Sequence, residues 1–215
     1  MSTPVLVFAK APVPGAAKTR LIPALGAGGA AALHERFVAW TLATAAAAAT
    51  GPVELCCAPD ASHPALLRLA RAHGTALAEQ GPGDLGDRMF AAFRRALAVA
   101  PAAILIGCDC PVLGPAHLRD AAAALAGGED AVLVPAEDGG YVLIGLKRAS
   151  ARLFEHIRWG EPTVMAETRA RLAALGWHWQ ELETLWDVDR PEDLARLTRA
   201  LPVGAALLDG LDRGR

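Results

Sequence analysis

The sequence has no asparagine, a single tyrosine and only three lysines against 18 arginines. Where plain positive charge suffices the chain uses arginine, so positions that keep lysine or tyrosine stand out. Lys10 and Lys18 both lie in the first loop, and Tyr141 is the lone tyrosine. Charge of one sign is also missing. The formal net charge is −2, which gives no general attraction for nucleic acid or an anionic membrane. No apolar run reaches membrane-spanning length, and the alanine-rich stretch Ala39–Thr50 is too short. Met1–Pro4 leads straight into an apolar run, without the charged region and cleavage pattern of a secretory signal. These absences predict a cytoplasmic protein with no membrane insertion and no nucleic-acid partner.

Four cysteines are present, Cys56, Cys57, Cys108 and Cys110, and none forms a C-x-x-C pair. Cys108-Asp109-Cys110 lacks the further soft ligands that a thiolate metal site needs, so the cysteines read as core. What is abundant is apolar: 53% of the 215 residues are hydrophobic and 20% charged, the balance of a chain that buries a core. The length suits one domain of ordinary size over residues 1–215.

Periodicity and turn residues divide the chain. Strands are predicted over Val5–Ala9, Val53–Ala58, Thr75–Glu79, Ala103–Gly107, Asp130–Pro135, Tyr141–Leu146 and Trp177–Leu182. Helices are predicted over Ala30–Thr50, Pro64–His73, Leu85–Val99, Pro115–Ala126, Pro162–Leu175 and Pro191–Ala200. The last residues, Leu207–Arg215, are expected to fray. Strands and helices alternate through the first 135 residues, which predicts a mainly parallel sheet with helices on both faces. Back-to-back strand signals in the second half predict some antiparallel pairing there.

In an open sheet of this kind ligands sit beyond the carboxyl ends of the strands, and unusual segments fall at such ends. After the first strand comes Lys10–Arg20, where Gly15 lets backbone amides approach an anion and Lys18 and Arg20 add positive charge. The spacing is not that of a Walker A loop. Its plainer reading is a solvated basic loop; the retained lysines favour phosphate. Asp109 ends the strongest strand, where a carboxylate suits Mg²⁺ or Mn²⁺, although an Asp there can equally cap a turn. Asp187 and Asp189 alternate in Trp186–Asp193 and would point the same way if extended. One is a candidate second metal ligand, while the last helix is expected to be capped by Asp189 or Arg190, with Glu192 placed to complete a capping box. Asp138-Gly139-Gly140-Tyr141 is a hairpin turn by pattern, and the lone tyrosine favours contact with an acceptor. In Gln80–Arg88, Gly83, Asp84, Leu85 and Gly86 could receive a flat base, though Asp84 at a helix start is also a plain N-cap.

Five ordered motifs, Phe8–Leu21, Gly83–Met89, Gly107–Leu113, Pro135–Leu146 and Asp187–Leu194, resemble an uncharacterised bacterial family of GT-A-type, glycosyltransferase-like proteins. That family is similar to the molybdenum cofactor guanylyltransferases and the 2-phospho-L-lactate guanylyltransferases. The resemblance implies a Rossmann-like GT-A fold, Lys18 on the nucleotide phosphates, and a metal held by Asp109 and Asp189. The relatives often have an N-T-P-E-D-L pattern at the last of these; here Asp189 and Arg190 replace its first two residues. The relatives' first loop opens with paired glycines, whereas this one is proline-rich with the single Gly15. Three functions remain open. One is a metal-dependent nucleotidyltransferase that joins a nucleoside triphosphate to a phosphorylated small-molecule acceptor and releases pyrophosphate, with Lys18 and Asp109 as its catalytic residues. Another is a glycosyltransferase using a nucleotide sugar, with Asp138 or Glu137 as base. The third is a non-catalytic nucleotide-binding module.

Overall fold

The computed structural model describes residues 2–211. Seven strands form one sheet: β1 (Val5–Lys10), β2 (Val53–Ala58), β3 (Ala76–Glu79), β4 (Ala103–Ile106), β5 (Ala131–Pro135), β6 (Tyr141–Leu146) and β7 (Trp179–Glu181). Their order is β3-β2-β1-β4-β6-β5-β7. All neighbours pair in parallel except β6, which runs antiparallel to both β4 and β5. The reversal follows from the chain. Only the five-residue turn 136–140 joins β5 to β6, far too short for the crossover that a parallel pair needs.

The helices are α1 (Ile22–Ala48), α2 (Pro64–His73), α3 (Leu85–Leu97), α4 (Pro115–Gly127), α5 (Val164–Ala174), α6 (Pro191–Ala200) and α7 (Gly204–Leu208). Alternation along the strands decides which helices cover which face. Val5, Val7 and Ala9 of β1, with Ile104 and Ile106 of β4, join one core with residues of α1, α2 and α4. Leu6, Phe8, Ala103 and Leu105 point the other way and pack with α3 and α5. Side chains fully buried on both faces explain why the central strands read as continuous apolar runs.

The predicted elements are found, with shifted ends and two larger differences. α1 begins eight residues before the expected Ala30, with Pro23 in its first turn, and is broken at Gly26, whose φ of +66° is not helical. The chain beyond 200 is not frayed throughout: α7 forms there, and Leu207, Leu208 and Leu211 are buried against Leu33 and Phe37 of α1 in a third core. Residues 212–215 lie outside the described ones. That third core also takes in Trp186 and Val188, and so fixes the segment that carries Asp187 and Asp189. Among the described residues no helix is long and apolar enough to cross a membrane.

Candidate functional site

β1 and β4 lie side by side at the centre of the sheet, and the strands that follow them lie toward opposite edges. A crevice opens at the carboxyl ends of such a pair. Lys10–Arg20 leaves the end of β1 and Asp109 follows β4. The third contributor comes from far along the chain. Leu185 bridges in parallel to Ala136 just past β5, and the N–H of Val188 then donates to the carbonyl of Asp109 at 2.8 Å. That bond sets Asp189 beside Asp109. The indole of Trp40 donates to the carbonyl of Pro111 at 2.9 Å and steadies the turn after Asp109.

Lys18 closes the arrangement. Its ammonium donates to Asp189 Oδ1 at 2.7 Å and to the carbonyl of Val188 at 2.6 Å, and lies 2.9 Å from Asp109 Oδ1. The Lys18 side chain is 4% exposed, whereas those of Asp109 and Asp189 are 46% and 34% exposed and face the cleft. Burial works against the Lys18 charge, but Asp109 and Asp189 outweigh it and raise its pKa. Burial likewise disfavours ionised Asp109, but the Lys18 charge more than compensates and lowers its pKa. Lys18 has left-handed backbone, φ 48° and ψ 46°, which a side chain adopts at a cost of about 1 kcal/mol. Its two hydrogen bonds and two ion pairs hold it there.

His34, which sequence reasoning passed over, stands behind Asp109. Its Nε2 is 3.0 Å from the carbonyl of Lys10. A carbonyl only accepts, so Nε2 carries the proton and Nδ1 is bare. Nδ1 is 3.9 Å from Asp109 Oδ1, and both atoms are buried with no hydrogen-bond partner. Burial is the main cause of a lowered His34 pKa, which keeps the ring neutral. The Lys18 ammonium lies 2.9 Å from that same Oδ1 and pairs with it by charge. Two facing lone pairs with no donor between them suit a cation or a water.

These residues line a cleft of about 670 Å³. Lys10, Lys18, Arg20 and Arg88 give it positive charge, and Asp84, Asp109 and Asp189 negative. Arg20 is 65% exposed and reaches Asp189 only at 3.5 Å. Arg88, also missed from sequence, has a buried Nε without a partner. Gln80 is buried and donates to the carbonyls of Ala9 and Cys56. Of the second loop, Asp84 and Leu85 line the cleft and Gly83 and Gly86 do not. The capping reading of Asp84 is the one seen: it accepts from Asp87 N at 2.9 Å, and Asp87 accepts from Asp84 N. Gly15, at φ +83°, shapes the first loop without lining the cleft.

A second pocket, of about 230 Å³, adjoins the first and shares Phe8, Leu85 and Gly107 with it. Asp138, Gly140 and Tyr141 line it. Gly139 does not, but only glycine fits there: its φ is +92°, and a Cβ would strike the carbonyl of Pro162. Tyr141 meets Trp159 edge to face, with ring centroids 6.5 Å apart. Trp159 lies between recognised elements, where periodicity gives no signal. Asp187 lines this pocket rather than the cleft. Burial, then Asp138, Asp189 and Asp109, push its pKa up to about 6.

Two expectations are corrected. The capping acid of α6 is not Glu192 but Asp193, which accepts from the N–H groups of Asp189 and Arg190. Of the two expected N-caps, Asp189 and Arg190, it is Arg190 that caps α6, while the Asp189 carboxylate is turned to Lys18. Glu137 is unsuited as a base. Arg196 grips it at 2.6 and 2.7 Å and lowers its pKa. The cysteines are free and buried as expected. Among the described residues no three His, Cys, Asp or Glu side chains converge as a metal site; the pair Asp109 and Asp189 is what the cleft offers.

The family described as "Uncharacterized protein conserved in bacteria (DUF2064)" matches residues 41–161. No curated protein matches the sequence. Among solved structures, the chain is similar to a candidate nucleotide-diphospho-sugar transferase from Desulfovibrio desulfuricans G20, with 28% identity, both chains covered in full and a TM-score of 0.82. It is also similar to CMP:2-keto-3-deoxy-manno-octonic acid synthetase complexed with CTP, at 13% identity over 94% of this chain and 100% of that one, TM-score 0.56. Glucosyl-3-phosphoglycerate synthase from Mycobacterium tuberculosis, in complex with Mn²⁺, UDP and glucosyl-3-phosphoglycerate, gives 13% identity, coverage of 99% and 81%, and a TM-score of 0.53. The last two likenesses are of fold. That fold is shared by nucleotidyltransferases and glycosyltransferases.

Proposed function

The chain belongs to this bacterial family, and from that premise and the geometry of the cleft we propose that it is a metal-dependent nucleotidyltransferase. The observation that carries the reading is the convergence of Asp109 and Asp189 on one cation, the Lys18 ammonium, at the centre of the sheet. Two hard carboxylates, bridged here by the Lys18 ammonium, are a donor set that fits Mg²⁺ or Mn²⁺. When bound between them, such an ion would neutralise phosphate charge and make the α-phosphorus more electrophilic.

The chain's own residues supply the rest. The cleft receives the nucleoside triphosphate, with Lys10, Arg20 and Arg88 as cations for its phosphates. Lys18 holds the two carboxylates in place in the free protein. All its donors face protein acceptors, so a phosphate must displace one of them to reach it. An oxygen of the acceptor's phosphate, delivered from the second pocket, forms a bond to the α-phosphorus. The bond from that phosphorus to the bridging oxygen breaks, and pyrophosphate leaves. Chemistry of this type asks for positioning and charge neutralisation more than for a covalent catalyst. The resemblance to guanylyltransferases noted above supports this reading.

Glycosyl transfer from a nucleotide sugar is the second reading, favoured by the likeness to the Desulfovibrio protein and by Asp187. With a pKa near 6 and a place in the second pocket, Asp187 is better suited than Glu137 to accept a hydroxyl proton. One experiment separates the two: incubation with Mg²⁺ and panels of triphosphates and nucleotide sugars. Release of pyrophosphate is expected. Nucleoside diphosphate released from a nucleotide sugar, with no pyrophosphate from any triphosphate, sinks the leading reading.

A further inference from the structure

The second pocket has a charge pattern that nucleotidyl transfer alone does not call for. Three carboxylates line it, Asp138, Glu161 and Asp187, and among the described residues no lysine, arginine or histidine does. None of the three forms an ion pair among the described residues. Asp138 accepts one hydrogen bond, from the N–H of Gly140 at 2.9 Å, which leaves its second oxygen free of protein donors.

The remaining walls are apolar or aromatic. Tyr141 and Trp159 stand edge to face at 89°, and Met89 and Val164 fill in around them. Asp138 and Glu161 are exposed to solvent and Asp187 is half-buried, and three charges of one sign set a negative potential over the apolar walls. An anionic group would meet uncompensated repulsion, whereas an organic cation would find carboxylates and aromatic faces together. At about 230 Å³ the space admits a small head group and little more.

We propose that this pocket recognises an ammonium group at the end of the acceptor remote from its reacting atom. The proposal rests on the reading of this pocket as the acceptor side. It divides the acceptor in two. The reacting end lies at the wall shared by both pockets, where Phe8, Leu85 and Gly107 border each and the cations of the cleft begin. The ammonium end lies among the carboxylates.

Calorimetry on the full chain with choline, ethanolamine, the uncharged carbon isostere of choline and the carboxylate of the same skeleton tests it. At least one ammonium compound is expected to bind about tenfold or more tightly than the uncharged isostere, and the carboxylate not to bind. Asp138→Asn keeps an acceptor for Gly140 and removes the charge. It should weaken ammonium binding about fivefold and leave the uncharged isostere unchanged. Trp159→Phe should weaken it less. Equal or tighter binding of the uncharged or anionic compound overturns the proposal. So does the absence of ammonium binding at about 10 mM, or an affinity indifferent to Asp138→Asn. A triphosphate titration on the same sample keeps the two readings apart: its failure strikes the nucleotide reading, whereas failure with the ammonium compounds strikes this one.

Discussion

The cleft and the second pocket adjoin, share three residues and differ in nearly everything else. The cleft is lined by charges of both signs, which neutralise one another through Lys18. The pocket is apolar and aromatic, and its charge is all negative. A region that opposes cations to carboxylates is built to exchange one set of charge partners for another. A region with one sign of charge and rigid walls is built to select. On the proposed reading the first region reacts and the second recognises, and each variant below either breaks that division or sharpens it.

The largest expected effect is that of Asp109→Asn. Loss of one of two carboxylates should lower metal-dependent turnover at least about a hundredfold, with circular dichroism unchanged. Full activity at saturating Mg²⁺ would place the reaction elsewhere. Lys18→Ala leaves two carboxylates facing each other without their shared cation. Both are partly exposed, so the loss falls short of that for a fully buried pair, at about 1–3 kcal/mol by urea denaturation. Nucleotide affinity should fall as well. Lys18→Arg should not restore it, since the wider guanidinium cannot sit as a point charge between two close carboxylates. An unaltered triphosphate affinity in Lys18→Ala makes the first loop a bystander.

On the recognition side, Tyr141→Ala is expected to raise the acceptor's KM about tenfold and to spare the nucleotide's. The opposite pattern in steady-state kinetics would dissolve the distinction between the two regions. The smallest effect concerns Asp187. Its folded pKa, near 6, lies above its ordinary 3.8, so the folded state binds this proton more tightly than the unfolded one. Stability is therefore lost as pH rises from about 4 to about 6, and the loss is complete above that range. In the presence of chelator, Asp187→Asn should gain about 1 kcal/mol at pH near 8 and nothing near pH 4. A gain that does not vary with pH would trace to packing instead.

Much of this was legible in the order of residues. Strands buried on both faces announce themselves as apolar runs, and Asp109 and Lys18 fall where such strands end. The turn Asp138–Tyr141 was legible because glycines and a lone tyrosine mark it. What tertiary docking decides was not. His34 sits in the middle of an alanine-rich helix, and only the packing of α1 against the sheet brings it to the carbonyl of Lys10. Arg88 is one of 18 arginines, and nothing local separates it from the rest. Lys18 was expected at the phosphates, yet the carboxylates that hold it come from positions 109 and 189. The choice between Asp189 and Arg190 as the cap of α6 was open for the same reason: an Asp that serves Lys18 is not free to cap.

The docking of Trp186 and Val188 into the third core bears on how the protein is made. Synthesis runs from the amino end, and the strands around β1 and β4 can pair before the segment beyond 185 has left the ribosome. Until that segment packs against α1, Lys18 has only Asp109, and Asp109 lacks the hydrogen bond from Val188. The Lys18, Asp109 and Asp189 arrangement therefore matures last, after the sheet that bears it, and a nascent or truncated chain would carry the fold's scaffold without the completed cleft.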